Sequence, residues 1–126
     1  MDNRSLLVID DEAAIRFVLV EYFRGRGWSV DAVETREEAE VLLAGTPYSV
    51  VIVDLRLGGR KGVEGLDVVD AARRLRPRTR VVLLTGNATS ELEAEARRRG
   101  IDAFVEKPLP LPQLEAIVDR LAGSAL

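Results

Sequence analysis

Five short apolar runs alternate along this chain with five stretches of helical period. Leu6 to Ile9 is the first run and reads as a buried strand. Ile15, Val18, Leu19, Tyr22 and Phe23 then recur at helical spacing, and Gly25 or Gly27 ends that helix. Trp28, Val30 and Ala32 alternate with polar residues, as in a half-buried strand near a sheet edge. Thr35 followed by Glu38 has capping-box spacing; it opens a helix with Ala39, Leu42 and Leu43 inward, stopped by Gly45-Thr46-Pro47. Val50 to Val53 is the third strand and Asp54 closes it. A loop from Leu55 to Gly65 follows, carrying Gly58, Gly59, Gly62 and Gly65. Leu66, Val69, Ala72 and Leu75 mark a helix that Pro77 terminates. Val81 to Leu84 is the fourth strand, ending at Thr85-Gly86. Ser90 and Glu93 have the spacing of a second capping box. The helix they open is weakly apolar, with Leu92, Ala94 and Ala96 ahead of Arg97-Arg98-Arg99-Gly100. Ala103 to Val105 is the fifth strand, and Leu111, Leu114, Ile117, Val118 and Leu121 mark the last helix.

Regular strand–helix alternation with short connections implies a parallel sheet with helices on both faces. The most continuous apolar runs, the first, third and fourth, belong at the centre, and the weaker second and fifth at the edges. The order 2-1-3-4-5 satisfies this and places a switch point between strands one and three. Ligands in such sheets bind beyond the carboxyl ends of the strands. Asp10, Asp11, Asp54, Thr85 and Lys107 all stand at such ends.

The composition narrows the chemistry. With 126 residues the chain makes one domain, 1–126, and a net charge of −3 gives no reason to expect nucleic-acid or membrane binding. There are no cysteines and no histidines, which removes thiol chemistry, zinc-thiolate sites and the commonest general base. Leu6 to Ile9 is too short for a signal peptide or a membrane span, and a reducing cytoplasm is expected. Of 18 basic residues only Lys61 and Lys107 are Lys, so a compact ammonium at 107 stands out against the Arg background.

If the strand ends meet, Asp10, Asp11 and Asp54 offer hard oxygen ligands suited to Mg²⁺. A carboxylate can attack a phosphoryl group to give an acyl phosphate, Lys107 can hold a phosphate oxygen as a point charge, and Thr85 offers a hydroxyl. In these residues the chain resembles the response-regulator receiver domains of two-component signalling, the chemotaxis-regulator type, over nearly its whole length. The resemblance implies a flavodoxin-like (βα)5 three-layer sandwich. It implies that Asp54 is phosphorylated by a histidine kinase or phosphotransfer protein, with Lys107 and Thr85 assisting. By the same resemblance Asp11, Asp54 and the backbone carbonyl of Arg56 ligate Mg²⁺ (or Mn²⁺), and Asp10 acts mainly through water. Thr85 and Phe104 are the switch residues, and the Lys107-Pro108 bond is cis. Arg56 and Asn87, two residues after Asp54 and Thr85, flank the attacking water, and Arg56 is expected to slow loss of the phosphoryl group. The output face is the fourth helix, fifth strand and fifth helix, serving a downstream protein, a fused output domain or a homodimer. Such a protein turns over no external substrate.

The loop after Asp54 departs from the family. Gly58 stands where Pro is usual and Gly65 arrives about three residues late, so the loop is expected to be longer and looser. Two other classes compete. A haloacid-dehalogenase-like aspartyl phosphatase needs an acid two residues after its nucleophile, where this chain has Arg56. An interaction module that is never phosphorylated would not need all five positions filled. Gly25-Arg26-Gly27 follows a helix and is no dinucleotide fingerprint, and Gly58-Gly59-Arg60-Lys61-Gly62 lacks the ending of a nucleotide P-loop. Asp10 or Asp11 is expected to cap the first helix as well. Arg73, Arg74, Arg76, Arg78 and Arg80 are expected to be solvated, and Arg97 to Arg99 to complement a helix dipole.

Overall fold

The computed structural model describes residues 4–57 and 64–123. Within them β1 (Ser5–Ile9), α1 (Ala13–Arg24), β2 (Ser29–Val33), α2 (Arg36–Gly45) and β3 (Val50–Asp54) are followed by α3 (Glu64–Leu75), β4 (Arg80–Thr85), α4 (Ser90–Arg99), β5 (Ala103–Glu106) and α5 (Leu111–Gly123). All neighbouring strands pair in parallel in the order β2-β1-β3-β4-β5, the order expected from the apolar runs. The expected longer, looser loop after Asp54 lies largely outside the described residues, which omit 58–63.

Strand alternation splits the core into two layers. Leu7, Ile9, Val51, Val53, Val81 and Leu83 pack with Ala39 and Leu43 of α2, Val68, Val69 and Ala72 of α3, and Ala96 of α4. Leu6, Val8, Val50, Ile52, Val82 and Leu84 pack instead with Leu19 and Phe23 of α1 and Leu114, Val118 and Leu121 of α5. β1, β3 and β4 are sealed on both faces, which is why their sequences are unbroken apolar runs. α4 is the exception among the helices: Ala96 is its one buried residue.

The Thr35–Glu38 capping box forms as expected. The second one does not. Thr89 caps α4 and accepts from the Leu92 N–H at 3.1 Å, so Ser90 is already the first helical residue. Neither Asp10 nor Asp11 caps α1: its N-cap is Glu12 with no side-chain bond, and Asp10 Oδ1 instead accepts from the Glu12 N–H at 2.9 Å. Gly25 caps the end of α1, and Gly27, at φ 93°, turns the chain back toward β2. Three of the arginines expected in solvent are engaged. Arg73 donates to the Pro77 and Thr79 carbonyls and to Asp102, Arg76 donates to the Leu43 and Ala44 carbonyls, and Arg80 pairs with Asp102. The carbonyls left over at the end of a helix and in the connection after it need donors, and a five-donor guanidinium fills several at once.

Candidate functional site

The carboxyl ends of β1, β3 and β4, with the residue after β5, surround an open cleft of about 400 Å³. Asp11, Glu12, Asp54, Arg56, Gly86, Asn87 and Lys107 line it. Asp10, Asp54, Thr85 and Lys107 arrive by the same logic: each is the last residue of a strand or the first beyond it, at the crest of the sheet.

Asp54 is the last residue of β3, 5% exposed, and Lys107 Nζ stands 3.0 Å from its Oδ1. One carboxylate oxygen each from Asp10, Asp11 and Asp54 lie within 4.8 Å of one another. The Asp10 carboxyl is nearly sealed from solvent, and its Oδ2 has no hydrogen-bond partner. Burial, with the Asp54 carboxylate adding to it, pushes the Asp10 pKa up to about 6 against the pull of the Glu12 N–H and Lys107. A buried, orphaned carboxylate oxygen beside two further carboxylates is a poor arrangement without a cation. The donor set is all hard oxygen, so it fits a hard divalent cation and not a thiophilic or imidazole-loving metal.

Thr85 ends β4, almost fully buried, and its Oγ1 accepts from the Asn87 N–H at 3.2 Å. Its carbonyl accepts from the Lys107 N–H at 2.8 Å, which anchors the backbone after β5 to β4. The Lys107-Pro108 bond is cis, as expected. Phe104 lies on β5, half-buried against the α2–α3–α4 side of the core, and is not among the residues lining the cleft. Arg56 and Asn87 are exposed at the cleft wall.

Thus Asp10, Asp11, Asp54, Arg56, Thr85, Asn87 and Lys107, all singled out from sequence, gather at one end of the sheet. Three contributors were not anticipated. Glu12 and Gly86 line the cleft, and Arg16 Nη1 donates to the Asp10 carbonyl at 2.8 Å, holding the turn that carries the acid pair. The run of three acids, Asp10-Asp11-Glu12, was the available signal for Glu12. Nothing local marks Arg16, because the carbonyl it meets lies six residues back.

Comparison with known proteins bears on this geometry. A family model described as "Response regulator receiver domain" matches residues 6–119. The acid tolerance regulatory protein ActR of Sinorhizobium medicae is 31% identical over 119 residues, 94% of this chain and 60% of that protein. The photosynthetic apparatus regulatory protein RegA of Rhodobacter capsulatus is 31% identical over 106 residues, 84% of this chain and 56% of that protein. A putative NtrX-like response regulator of Rickettsia felis is 26% identical over 120 residues, which is 95% of this chain. The chain therefore spans between 25% and 60% of the length of these relatives. Among solved structures, a Burkholderia pseudomallei response regulator with a phosphorylated aspartic acid, calcium ion and citrate superposes with TM-score 0.84 at 27% identity, covering 96% of this chain and 69% of that one. The solution structure of the beryllofluoride-activated NtrC4 receiver domain dimer shares the fold at TM-score 0.87 and 23% identity, covering 98% and 99% of the two chains.

Proposed function

The chain belongs to the response regulator receiver domain family, and from that premise we propose that Asp54 is its phosphoacceptor and that a histidine kinase or phosphotransfer protein supplies the phosphoryl group. The observation that carries this reading is the 3.0 Å pair between Lys107 Nζ and Asp54 Oδ1 beside the Asp10–Asp11 couple. An Asp54 oxygen attacks the phosphorus of a phosphohistidine. The O–P bond forms, the N–P bond breaks, and the imidazole leaves with the electron pair and takes up a proton. The product is an acyl phosphate, and water later releases inorganic phosphate and restores the carboxylate.

In this reading Asp11, Asp54 and the Arg56 carbonyl would hold Mg²⁺ (or Mn²⁺), with Asp10 acting mainly through water. When bound, that ion neutralises charge on the transferring group. Lys107 binds a phosphoryl oxygen as a point charge, and its anchoring through the Thr85 carbonyl keeps it in reach. Thr85 supplies a hydroxyl donor to a second oxygen. Arg56 and Asn87 stand at the cleft wall, where they flank the path of attacking water. Thr85 and Phe104 report the event to the face made by α4, β5 and α5, which serves a downstream protein, a fused output domain or a second copy. α4 buries little apolar surface, so its displacement costs little, and that supports this assignment. The reaction modifies the chain itself and turns over no external metabolite.

Intact-mass measurement after incubation with Mg²⁺ and a small acyl phosphate tests the reading. The parent should gain one phosphoryl group and Asp54→Asn none. Equal gain by both, or none by the parent, would reject it.

A further inference from the structure

We propose that Gly65 is a positioning residue for Asp54: it leaves room for the first turn of α3 to close directly on the backbone that carries the acceptor. The proposal rests on the reading of Asp54 as the phosphoacceptor. A methyl group built on Gly65 would lie 2.5 Å from the Asp54 carbonyl oxygen, 2.6 Å from Leu55 Cα and 3.0 Å from the Leu55 carbonyl oxygen. All three are backbone atoms, so no side-chain rotation relieves the clash. The φ of Gly65 lies outside the left-handed region, so glycine is needed here for space and not for conformational freedom. A helix gains nothing from glycine otherwise, since it is among the poorest helix formers.

The turn it touches is held from several sides. The Gly65 N–H donates to the Leu55 carbonyl at 3.0 Å, and the Leu55 N–H donates across to the Leu84 carbonyl at 2.8 Å. The Leu57 N–H donates to the Asp54 carbonyl at 3.3 Å, and the Leu57 side chain is 1% exposed. Within this short clamp sit the Asp54 carboxylate and the carbonyl of Arg56. Gly65 closes the clamp on the side of α3, so the chain can depart after Leu57 and return at α3 without moving the acceptor. A side chain at 65 must push the turn by about 0.5 Å or more, because contacts under 3.0 Å are essentially unobserved. Displacements on the order of 1 Å at reacting groups cost roughly a hundredfold in rate.

Gly65→Ala is compared with the parent and with Val69→Ala, a variant one turn further along the same helix that removes fully buried methyl groups and introduces no clash. Three quantities are measured. They are thermal unfolding in EDTA, the phosphorylation rate with a small acyl phosphate, and the Mg²⁺ concentration that gives half the maximal rate. Gly65→Ala should remain folded, phosphorylate about tenfold or more slowly, and need more Mg²⁺. Val69→Ala should lose stability yet stay within about threefold in rate with an unchanged Mg²⁺ requirement. A folded Gly65→Ala within threefold of the parent, or an equal slowing in Val69→Ala, would overturn the proposal. Should Gly65→Ala not fold, Leu57→Ala decides. It loosens the opposite side of the clamp without a clash; a tenfold slowing upholds the proposal and a rate within threefold ends it. A parent that takes up no phosphoryl group sinks the acceptor reading and this proposal together. A phosphorylated parent with an equally fast Gly65→Ala sinks this proposal alone.

Discussion

Lys107 and Asp54 pair across a strand that separates them. Nζ and Oδ1 are 3.0 Å apart, yet β3 and β5 are not neighbours, because β4 runs between them. The reach is possible because the Lys107 N–H is fixed on the Thr85 carbonyl at the end of β4, and the four-carbon stem of lysine then spans the remaining gap.

Lys107→Met should therefore separate two properties. The phosphorylation rate should fall by roughly a hundredfold, the usual loss when one donor to a developing anion is removed. Mg²⁺ should bind more tightly, because a cation has left a cluster of three carboxylates. Titration calorimetry beside a phosphorylation time course checks both, and weaker Mg²⁺ binding would contradict the argument.

Asp10→Asn should stabilise the metal-free protein. The variant keeps the Oδ1 acceptor for the Glu12 N–H and removes a buried charge whose other oxygen has no partner. A gain of about 1–2 kcal/mol is expected from removing a carboxylate charge that burial and the neighbouring Asp54 carboxylate disfavour. Urea unfolding in EDTA should show a higher midpoint than the parent. In excess Mg²⁺ the order should narrow or reverse, since the parent has more ligand charge to offer.

Arg56→Asn should shorten the life of the phosphoryl group if the guanidinium shields it from water. Decay of the phosphorylated protein after removal of the donor gives the half-life. Equal decay in variant and parent would remove this role.

At the opposite end of the sheet, Asp102→Ala should cost stability and leave chemistry alone. Asp102 Oδ2 accepts from the Val81 N–H at 2.8 Å and from Arg73 at 3.1 Å. Burial lowers the Arg73 pKa and Asp102 opposes it, so losing the carboxylate strands a half-buried cation. A loss of about 2–3 kcal/mol is expected, with the phosphorylation rate unchanged. A slowed rate would mean that the two ends of the sheet are coupled.

α4 should exchange its amide hydrogens faster than α3. α4 buries Ala96 alone, while α3 buries Gly65, Leu66, Val68, Val69, Ala71 and Ala72. Its charged tie to α3 is an ion pair, Arg99 to Asp70 at 3.0 Å, and a half-exposed pair of this kind adds little. Amide shifts along α4 should also move when a phosphoryl mimic binds, and an unresponsive helix would count against its place in the output face.

Much of this was legible from local pattern. Leu6–Ile9, Val50–Val53 and Val81–Leu84 are apolar without interruption, and only strands covered on both faces need that, so their central places followed. The errors were also local. Thr89 and Ser90 are adjacent hydroxyl residues, and which of them caps α4 depends on where the backbone leaves the extended region, at Thr89 with φ −131° and ψ 159°. Arg73, Arg76 and Arg80 look like a solvated basic stretch because the carbonyls and carboxylate they serve come from other segments.

The order of apolar and polar positions by itself determined the five strands, their central and edge places, and the end of the sheet at which Asp10, Asp11, Asp54, Thr85 and Lys107 would stand, because periodicity and burial are properties of short stretches. Tertiary structure alone decided the pairing of Lys107 with Asp54 over β4, the orphaned oxygen of Asp10 and the absence of any room for a side chain at Gly65. Those depend on distances between segments far apart in the chain, set by strand spacing and helix packing, and no local pattern encodes a distance.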